Sequence, residues 1–273
     1  MSDAPPDLHQ MLLDAGLGRV ADVIEREARP SIRLTAHPVA YEAEIPLGAS
    51  KLGGSPDLPP GFDWPRHDGF PLAFIAQINL ADAALYDVEK LLPPTGLLHF
   101  FFTYDRRMKE PWPPKSSMWR VQFTDDAPSL QRVPMPPPLP ERKDEGPYEP
   151  ATLTFASEVT FAGYLPYFHN GDHRGLQAYA KDVPEFSEAE REAYYGTSEA
   201  IQGRAHTKNR TLGHPDAIQH LDLQPDHVLL LQVDSEEGLG MMWGDVGRLY
   251  WWMDREALLR RDFSHVKFDE QCS

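Results

Sequence analysis

The sequence predicts an α+β fold of two β-rich structural repeats packed together, mainly as antiparallel sheets with few short helices and an N-terminal helical extension. Three observations support this fold class. Short apolar runs bounded by turn residues are typical of buried strands. Helical spacing of apolar residues is restricted to the N-terminus and a few short segments. A set of motifs also occurs twice in the same order, which predicts a duplicated unit.

The helical extension is predicted over residues 1–30. Apolar residues recur at three- and four-residue intervals across residues 7–28, as they do along one face of a helix. Gly16 and Gly18 divide this pattern into two short helices, and a following proline ends the second. A single α+β domain is predicted over residues 31–268.

The first segment of this domain, residues 31–47, mixes alternating residues with Pro38 and Pro46. Proline cannot donate a hydrogen bond to a neighbouring strand, so within sheets it is confined to edges and strand ends. We therefore expect one or two edge strands here.

The two repeats are predicted near residues 50–104 and 210–254. Each begins with a loop, continues with a buried strand that carries a Gln near its end, and finishes with an aromatic strand. Three pairs of segments match in order: 52–57 with 212–216 (one deletion), 74–79 with 229–234, and 96–101 with 247–252.

Other segments carry local signals. Asn79 is a candidate N-cap of a short helix, and Ser187 with Glu190 fits a capping box at the start of another helix. Alternating residues predict further strands at residues 117–123 and 152–161.

Composition limits the classes of partner. The chain has 273 residues, a formal net charge of -16 and a single cysteine, Cys272. A strongly acidic surface repels phosphate backbones and anionic lipids, so we expect neither nucleic-acid nor membrane binding. The N-terminus lacks the basic start and apolar core of a signal peptide. With one cysteine, which permits no intrachain disulfide, these features favour a cytoplasmic location.

The order of the motifs resembles the YwqG-like family of uncharacterised bacterial proteins over residues 36–268. The segments that carry the resemblance are SKLGGSP (50–56), WP (64–65), PLAFIAQINL (71–80), LP (92–93), GLL (96–98), LG (212–213), LLQVDS (230–235) and MWGDVGR (242–248). The resemblance implies an α+β fold with duplicated β-rich halves. It implies no activity, because the family has no assigned function.

The candidate binding site is a cleft between the two repeats. Trp64 and Trp243 lie in loops beside the strand ends and would form its walls, Gln77 and Gln232 would form its floor, and Asp245 lies at its mouth. The alternative is that both Gln side chains satisfy buried backbone groups, as buried polar atoms must.

Other constellations are weaker. Asp245 with Asp234, Glu236 and Glu237 could bind a hard cation or serve as acid and base, but the spacing of a calcium loop is absent, and a solvated turn is the favoured interpretation of these carboxylates. His169 and His173 stand four residues apart, yet the intervening Asn-Gly favours a turn over a metal-binding helix. We therefore predict no metal and no cofactor.

Two classes of function remain. The first is a non-catalytic binding or protein-interaction module whose acidic surface suits a basic partner, with an immunity-like role against a toxin as one form. The alternative is a small-molecule enzyme, such as a hydrolase, that uses Asp245 and a histidine. The sequence leaves the partner open between an unknown protein and a small-molecule ligand.

Overall fold

A computed structural model describes residues 8–103, 116–125, 129–137, 146–162, 184, 186–202, 208–219, 221 and 224–272. Fourteen strands are present in this part of the chain. Their bounds are β1 Arg29–Pro38, β2 Lys51–Leu52, β3 Asp57–Leu58, β4 Arg66–His67, β5 Phe70–Pro71, β6 Ala73–Asn79, β7 Leu97–Phe102, β8 Trp119–Thr124, β9 Gln131–Arg132, β10 Ala151–Thr160, β11 Asn209–Thr211, β12 His227–Asp234, β13 Arg248–Asp254 and β14 Lys267–Gln271.

Ten of these strands form one antiparallel sheet in the order β14-β13-β12-β11-β1-β10-β2-β6-β7-β8. The long central pair is β1 with β10, on which Ile32 lies opposite Ser157. Outward from this pair, one side has β11, β12, β13 and β14, and the other has β2, β6, β7 and β8. Two small sheets, β3-β9 and β4-β5, are separate from the large one.

The large sheet curls until its two edge strands approach each other. Trp119 of β8 stacks on Phe268 of β14 with ring centroids 5.9 Å apart. Near the same edge, Phe123 stacks on Phe263 at 5.1 Å. β8 and β14 share no backbone pairing among the described residues. The sheet is therefore nearly closed, with aromatic rings filling the seam between its edges.

The enclosed face of the curled sheet, called the inner face below, forms the main core. Phe100 on β7 meets Trp251 on β13 edge to face at 5.3 Å, so the two flanking groups of strands pack directly on each other. Both side chains are fully buried. The long apolar runs of β6 and β12 are covered on both faces, as their sequences predict.

The connections between strands fill the two ends of this core. Five steps separate β6 from β12 in an antiparallel sheet, so these strands run in opposite directions. The β6–β7 and β12–β13 connections therefore leave opposite ends of the sheet. The first contributes Leu91 and Leu92 to the core, and the second contributes Leu239, Met241 and Trp243.

The prediction of edge strands at residues 31–47 is wrong. β1 starts at Arg29 and pairs with β10 on one side and β11 on the other, so it lies at the centre of the sheet. Pro38 is compatible with this position because it is the last residue of the strand, where the missing N–H costs little.

Five α-helices occur in the described residues. They are α1 Leu8–Asp14, α2 Ala21–Glu27, α3 Leu80–Ala83, α4 Glu188–Gln202 and α5 Arg255–Leu259. The predicted caps form: Asn79 accepts from the Ala81 N–H at 3.0 Å. The Ser187 hydroxyl accepts from the Glu190 N–H, while the Glu190 carboxylate accepts from the Ser187 N–H.

The N-terminal helices pack apart from the main core. α1 and α2 bury Leu12, Val23 and Ile24 in a second cluster with Phe161 and Tyr194. The architecture is therefore β-rich α+β with antiparallel pairing and short helices, in agreement with the predicted class. None of the helices in the described part of the chain combines the length and apolar character needed to cross a bilayer.

Gly53 gives a direct test of the fold at the end of β2. Its φ is +62°, and a Cβ there would lie 2.2 Å from the Glu149 carbonyl oxygen. We expect Gly53→Ala to lower the free energy of unfolding by about 2–4 kcal/mol, from left-handed strain and overpacking together. Denaturant unfolding measures this loss.

Gly61→Ala is the matched control, because Gly61 has a φ of +78° but open space around its Cβ position. This variant carries only the strain of about 1 kcal/mol. Equal losses in the two variants would contradict the close approach of residues 53 and 149.

Candidate functional site

Gln77 of β6 lies fully buried beneath the loop that follows β2. Its Oε1 accepts from the Asp57 N–H at 2.8 Å, and its Nε2 donates to the Ala49 carbonyl at 2.8 Å and to Asp57 Oδ2 at 3.1 Å. These bonds join the loop around β2 to the outer face of the sheet, which is the face opposite the inner face. Every hydrogen-bonding atom of the amide is occupied.

Gln232 of β12 has the same kind of contacts in the other half of the sheet. It is fully buried, and its Oε1 accepts from the Asp216 N–H at 2.8 Å. Its Nε2 donates to the Lys208 carbonyl. Like Gln77, this side chain ties the loop after a short strand to the long strand beside it.

Charged side chains surround Gln77. Lys51, opposite Gln77 in the sheet, is fully buried with its Nζ 3.2 Å from Asp57 Oδ1. Arg132 donates to the same oxygen at 2.9 Å. Burial lowers the pKa of Lys51, against the opposing effect of Asp57. Burial alone would raise the pKa of Asp57, but Arg132 and Lys51 hold it below its ordinary value.

A second charged cluster surrounds Gln232. Asp216 lies 2.9 Å from both Lys208 Nζ and Arg248 Nη1. Arg248 also approaches Asp234 at 3.2 Å. Burial favours a raised pKa at Asp216, but the Arg248 and Lys208 charges outweigh it and lower the pKa. Asp57 and Asp216 are therefore held ionised and paired, an arrangement that fixes their loops on the sheet.

The strand beside each glutamine, β7 or β13, adds an aromatic ring that bonds the same loop. His99, opposite Gln77, donates through Nε2 to the Asp57 carbonyl at 3.0 Å. Burial lowers the pKa of His99 to about 4, so the ring is neutral at pH 7. Tyr250, opposite Gln232, donates through its hydroxyl to the Asp216 carbonyl at 3.0 Å.

Arg210 provides a buried charge opposite Gln232, as Lys51 does opposite Gln77. Its Nε lies 3.0 Å from Glu158 Oε1, and both side chains are almost completely buried. Burial raises the pKa of Glu158, although the Arg210 charge opposes this. Removing one partner of such a pair would leave an uncompensated buried charge.

The two tryptophans of the candidate site are anchors inside the protein. Trp64 donates from Nε1 to the Leu72 carbonyl at 2.9 Å and packs edge to face on Phe101. Trp243 is fully buried and donates to the Asp234 carbonyl at 3.1 Å. Each indole therefore fixes a loop onto a strand end.

Asp245 lies outside the core in the turn between Trp243 and Gly247. The turn is closed by a 2.6 Å hydrogen bond from the Gly247 N–H to the Trp243 carbonyl. Asp245 is exposed, and its carboxylate makes no hydrogen bond or ion pair with the described residues. Nearby, Asp234 pairs with Arg248, while Glu236 accepts from Asn209.

The predicted cleft residues divide between separate places. Gln77 and Gln232 belong to strands with four others between them, and each contacts its own loop. Trp64 packs in a small cluster over β6 and β7, whereas Trp243 packs in the main core. The two Gln side chains lie apart in the sheet, and a ligand floor shared by both stays a prediction.

The histidines that could serve the enzyme hypothesis are only partly described. His169 and His173 lie outside the described residues. His214 is buried and bonds through Nε2 to the Glu27 carbonyl, and burial lowers its pKa to about 3. His227 lies 3.0 Å from Asp254.

Sequence reasoning missed Glu270, a buried carboxyl on the inner face. It lies opposite Leu249 on the edge strand β14 and is 6% exposed. Burial raises its pKa to about 7, with a further contribution from the Asp269 charge. The alternation of β14 places Phe268 and Glu270 on one face, which is the only sequence signal that could have revealed it.

A comparison with family models identifies the chain. The model described as a domain of unknown function, DUF1963, matches residues 50–272. The chain belongs to the DUF1963 family. This family is the YwqG-like family, so the resemblance seen in the sequence is confirmed. The DUF1963 match starts just before β2 and so excludes β1, although β1 is central to the sheet. None of the curated proteins matches the chain.

Glu270 makes the stability of this DUF1963 protein depend on pH. Its folded pKa of about 7 lies above its ordinary 4.5, so its contribution is complete below pH 4.5 and is lost as pH rises to 7. Glu270→Gln removes this loss. As pH rises from 4.5 to 8, wild type loses this stability and the variant does not. We therefore expect the free energy of unfolding of the variant, measured with denaturant, to increase relative to wild type by about 2–3 kcal/mol over this range.

The control is Glu237→Gln, which removes a charge from an exposed position. A stability difference between Glu270→Gln and wild type that stays constant from pH 4.5 to 8 would contradict the burial of the Glu270 carboxyl.

Proposed function

We propose that this DUF1963 protein is a non-catalytic binding module that recognises a basic protein partner through its acidic surface. One observation carries the proposal: the buried charges around Gln77 and Gln232 are paired with each other. Lys51, Arg132 and Arg248 are occupied by Asp57, Asp216 and Asp234. These pairs cancel and contribute nothing to the net charge of -16, so we expect exposed carboxylates to steer cationic partners.

The proposed contact surface, named the acidic turn, consists of Glu149, Glu237, Asp245 and Val246. All four residues are exposed. Glu149 is fixed beside the turn by a 3.0 Å hydrogen bond from its N–H to the Leu239 carbonyl. Three exposed carboxylates, with the exposed Val246 next to Asp245 in the chain, form a surface suited to a cationic protein.

The base of the acidic turn explains its rigidity. Trp243 lies beneath it, with its indole bonded to β12 and its ring edge-on to Tyr148 at 5.5 Å. Ser235 accepts from the Trp243 N–H at 3.1 Å and donates to the Gly247 carbonyl at 2.9 Å. A preformed turn loses little conformational entropy on binding.

We also propose that the domain over residues 31–268 contains a duplicated unit, with repeats near 50–104 and 210–254 and a helical extension over 1–30. The contacts of Gln77 and Gln232 support the duplication. Both strands have a β-bulge, at Phe74/Ala76 and Leu229/Leu231. With Lys51 aligned to Arg210, the two loops have equal length and need no deletion.

The backbone supports this alignment of the loops. It places Gly53 with Leu212 and Gly54 with Gly213, and all four residues have a φ between 62° and 71°. Leu212 therefore has the left-handed conformation that Gly53 has in the first half. Shared strain at matched positions favours common ancestry over chance similarity.

We propose that the protein acts in the cytoplasm and that its basic partner is a toxin, against which it has an immunity-like role. The single cysteine is consistent with a reducing compartment. The rival enzyme hypothesis needs a histidine beside Asp245, and the described residues give this carboxylate no hydrogen-bonding partner. We therefore do not propose a hydrolase.

Affinity capture with charge variants tests the proposed surface. The triple variant Glu149→Gln, Glu237→Gln, Asp245→Asn removes three charges from the acidic turn. Immobilised wild type is expected to retain a specific basic protein at 50 mM NaCl, and the triple variant to bind it at least ten-fold more weakly. Binding of the purified partner is measured by biolayer interferometry at 50 and 300 mM NaCl, where screening reduces the on-rate.

A matched control removes the same charge elsewhere, through Asp63→Asn, Asp68→Asn and Glu256→Gln, all at exposed positions. This control should retain binding within about two-fold. Equal weakening by both triple variants would show non-specific attraction to a cationic protein, and no retained partner at low salt would contradict the binding role.

A further inference from the structure

Three side chains that commonly bind metals meet on the N-terminal helices. His9 lies on α1, and Asp22 and Glu25 lie on α2. One donor atom from each of the three lies within 4.8 Å of the others. No other group of three His, Cys, Asp or Glu side chains in the described part of the chain satisfies this spacing.

Apolar packing between the helices fixes this convergence. Leu12, Val20 and Ile24 are almost completely buried in the N-terminal cluster and set the distance between α1 and α2. A 2.9 Å hydrogen bond from the Leu17 N–H to the Leu12 carbonyl closes the turn between them. Because Asp22 and Glu25 are three residues apart on a helix, they face the same direction.

We propose that His9, Asp22 and Glu25 form a binding site for a zinc ion. One imidazole and two carboxylates are ligands that zinc accepts, and three protein ligands leave a fourth position for water. Calcium and magnesium prefer sites made only of oxygen, so the imidazole selects against them. Two carboxylates also neutralise the double charge of the ion.

The distances are compatible with zinc after small side-chain movements. Zinc bonds of 2.0–2.1 Å place tetrahedral donors about 3.3 Å apart. His9 Nδ1 and Glu25 Oε1 are already 3.2 Å apart. The side chains of His9 and Glu25 are 46% and 31% exposed, so an ion reaches them directly from solvent.

The site would act as a clamp between two helices of seven residues each. Helices this short are marginal alone and depend on tertiary contacts. Zinc that binds only the folded arrangement would stabilise it by mass action. The proposal differs from the metal-binding possibilities raised by the sequence, which concerned histidines and carboxylates elsewhere in the chain.

Isothermal titration calorimetry of the full chain with zinc chloride at pH 7.5 tests the site. We expect one tight site per chain, with no comparable binding of magnesium or calcium. His9→Gln and Asp22→Asn should each weaken this site at least ten-fold. Circular dichroism establishes that both variants remain folded, and two variants on different helices guard against an effect of one substitution.

Matched controls address the other histidines and carboxylates of the chain. His37→Gln alters an exposed histidine whose ring bonds Thr154, and Glu256→Gln alters an exposed carboxylate on α5. Both should retain the zinc affinity within two-fold. Unchanged affinity in His9→Gln and Asp22→Asn, or no tight site in wild type, would overturn the proposal and leave an ordinary surface charge cluster.

Discussion

The hydrogen bonds of two buried glutamines are the constraint on which the rest of the structure depends. Gln77 and Gln232 each accept a hydrogen bond from the backbone N–H of an Asp in the loop that crosses their strand. An amide donates and accepts at once, so one side chain satisfies several backbone groups that the loop would otherwise bury unpaired. The glutamines thereby position Asp57 and Asp216, and these carboxylates gather the buried cations.

This arrangement pairs or neutralises several titratable groups among the described residues. Lys51 and Arg210 extend from the outer face of the sheet into ion pairs, and His99 is kept neutral by burial. The aromatic inner face holds the two sides of the sheet together through contacts such as Phe100 with Trp251. The exposed carboxylates of the acidic turn form the surface that we propose for a basic partner.

The sequence predicted the long strands β6, β7, β10, β12 and β13 because their signals are local, whereas the short strands β2–β5, β9 and β11 and the edge strand β14 were missed. Apolar runs identified β6 and β12, and Asn79 and Ser187 were recognised as caps because capping needs only neighbouring residues. The central position of β1 was missed, since prolines at the end of a strand give the same signal as prolines on an edge. Strand order depends on contacts between residues over a hundred positions apart.

The cleft predicted between the repeats stays a prediction. The burial and amide contacts of both glutamines match the alternative that they satisfy backbone groups. Burial of Glu270 was missed, because alternation in β14 shows only which residues share a face, whereas the burial depends on the curl that brings β14 against the rest of the sheet. The convergence of His9 with Asp22 and Glu25 was missed as well, since it depends on how two short helices pack.

The free energies of unfolding of Gln77→Leu and Gln232→Leu test the central claim most directly. Each leucine removes an amide that satisfies buried groups, so we predict a loss of at least about 2 kcal/mol from each variant. The exposed Gln131→Leu serves as control and should change stability by less than about 0.5 kcal/mol. A loss at either buried position no larger than this control would contradict the claim that the glutamines hold the loops on the sheet.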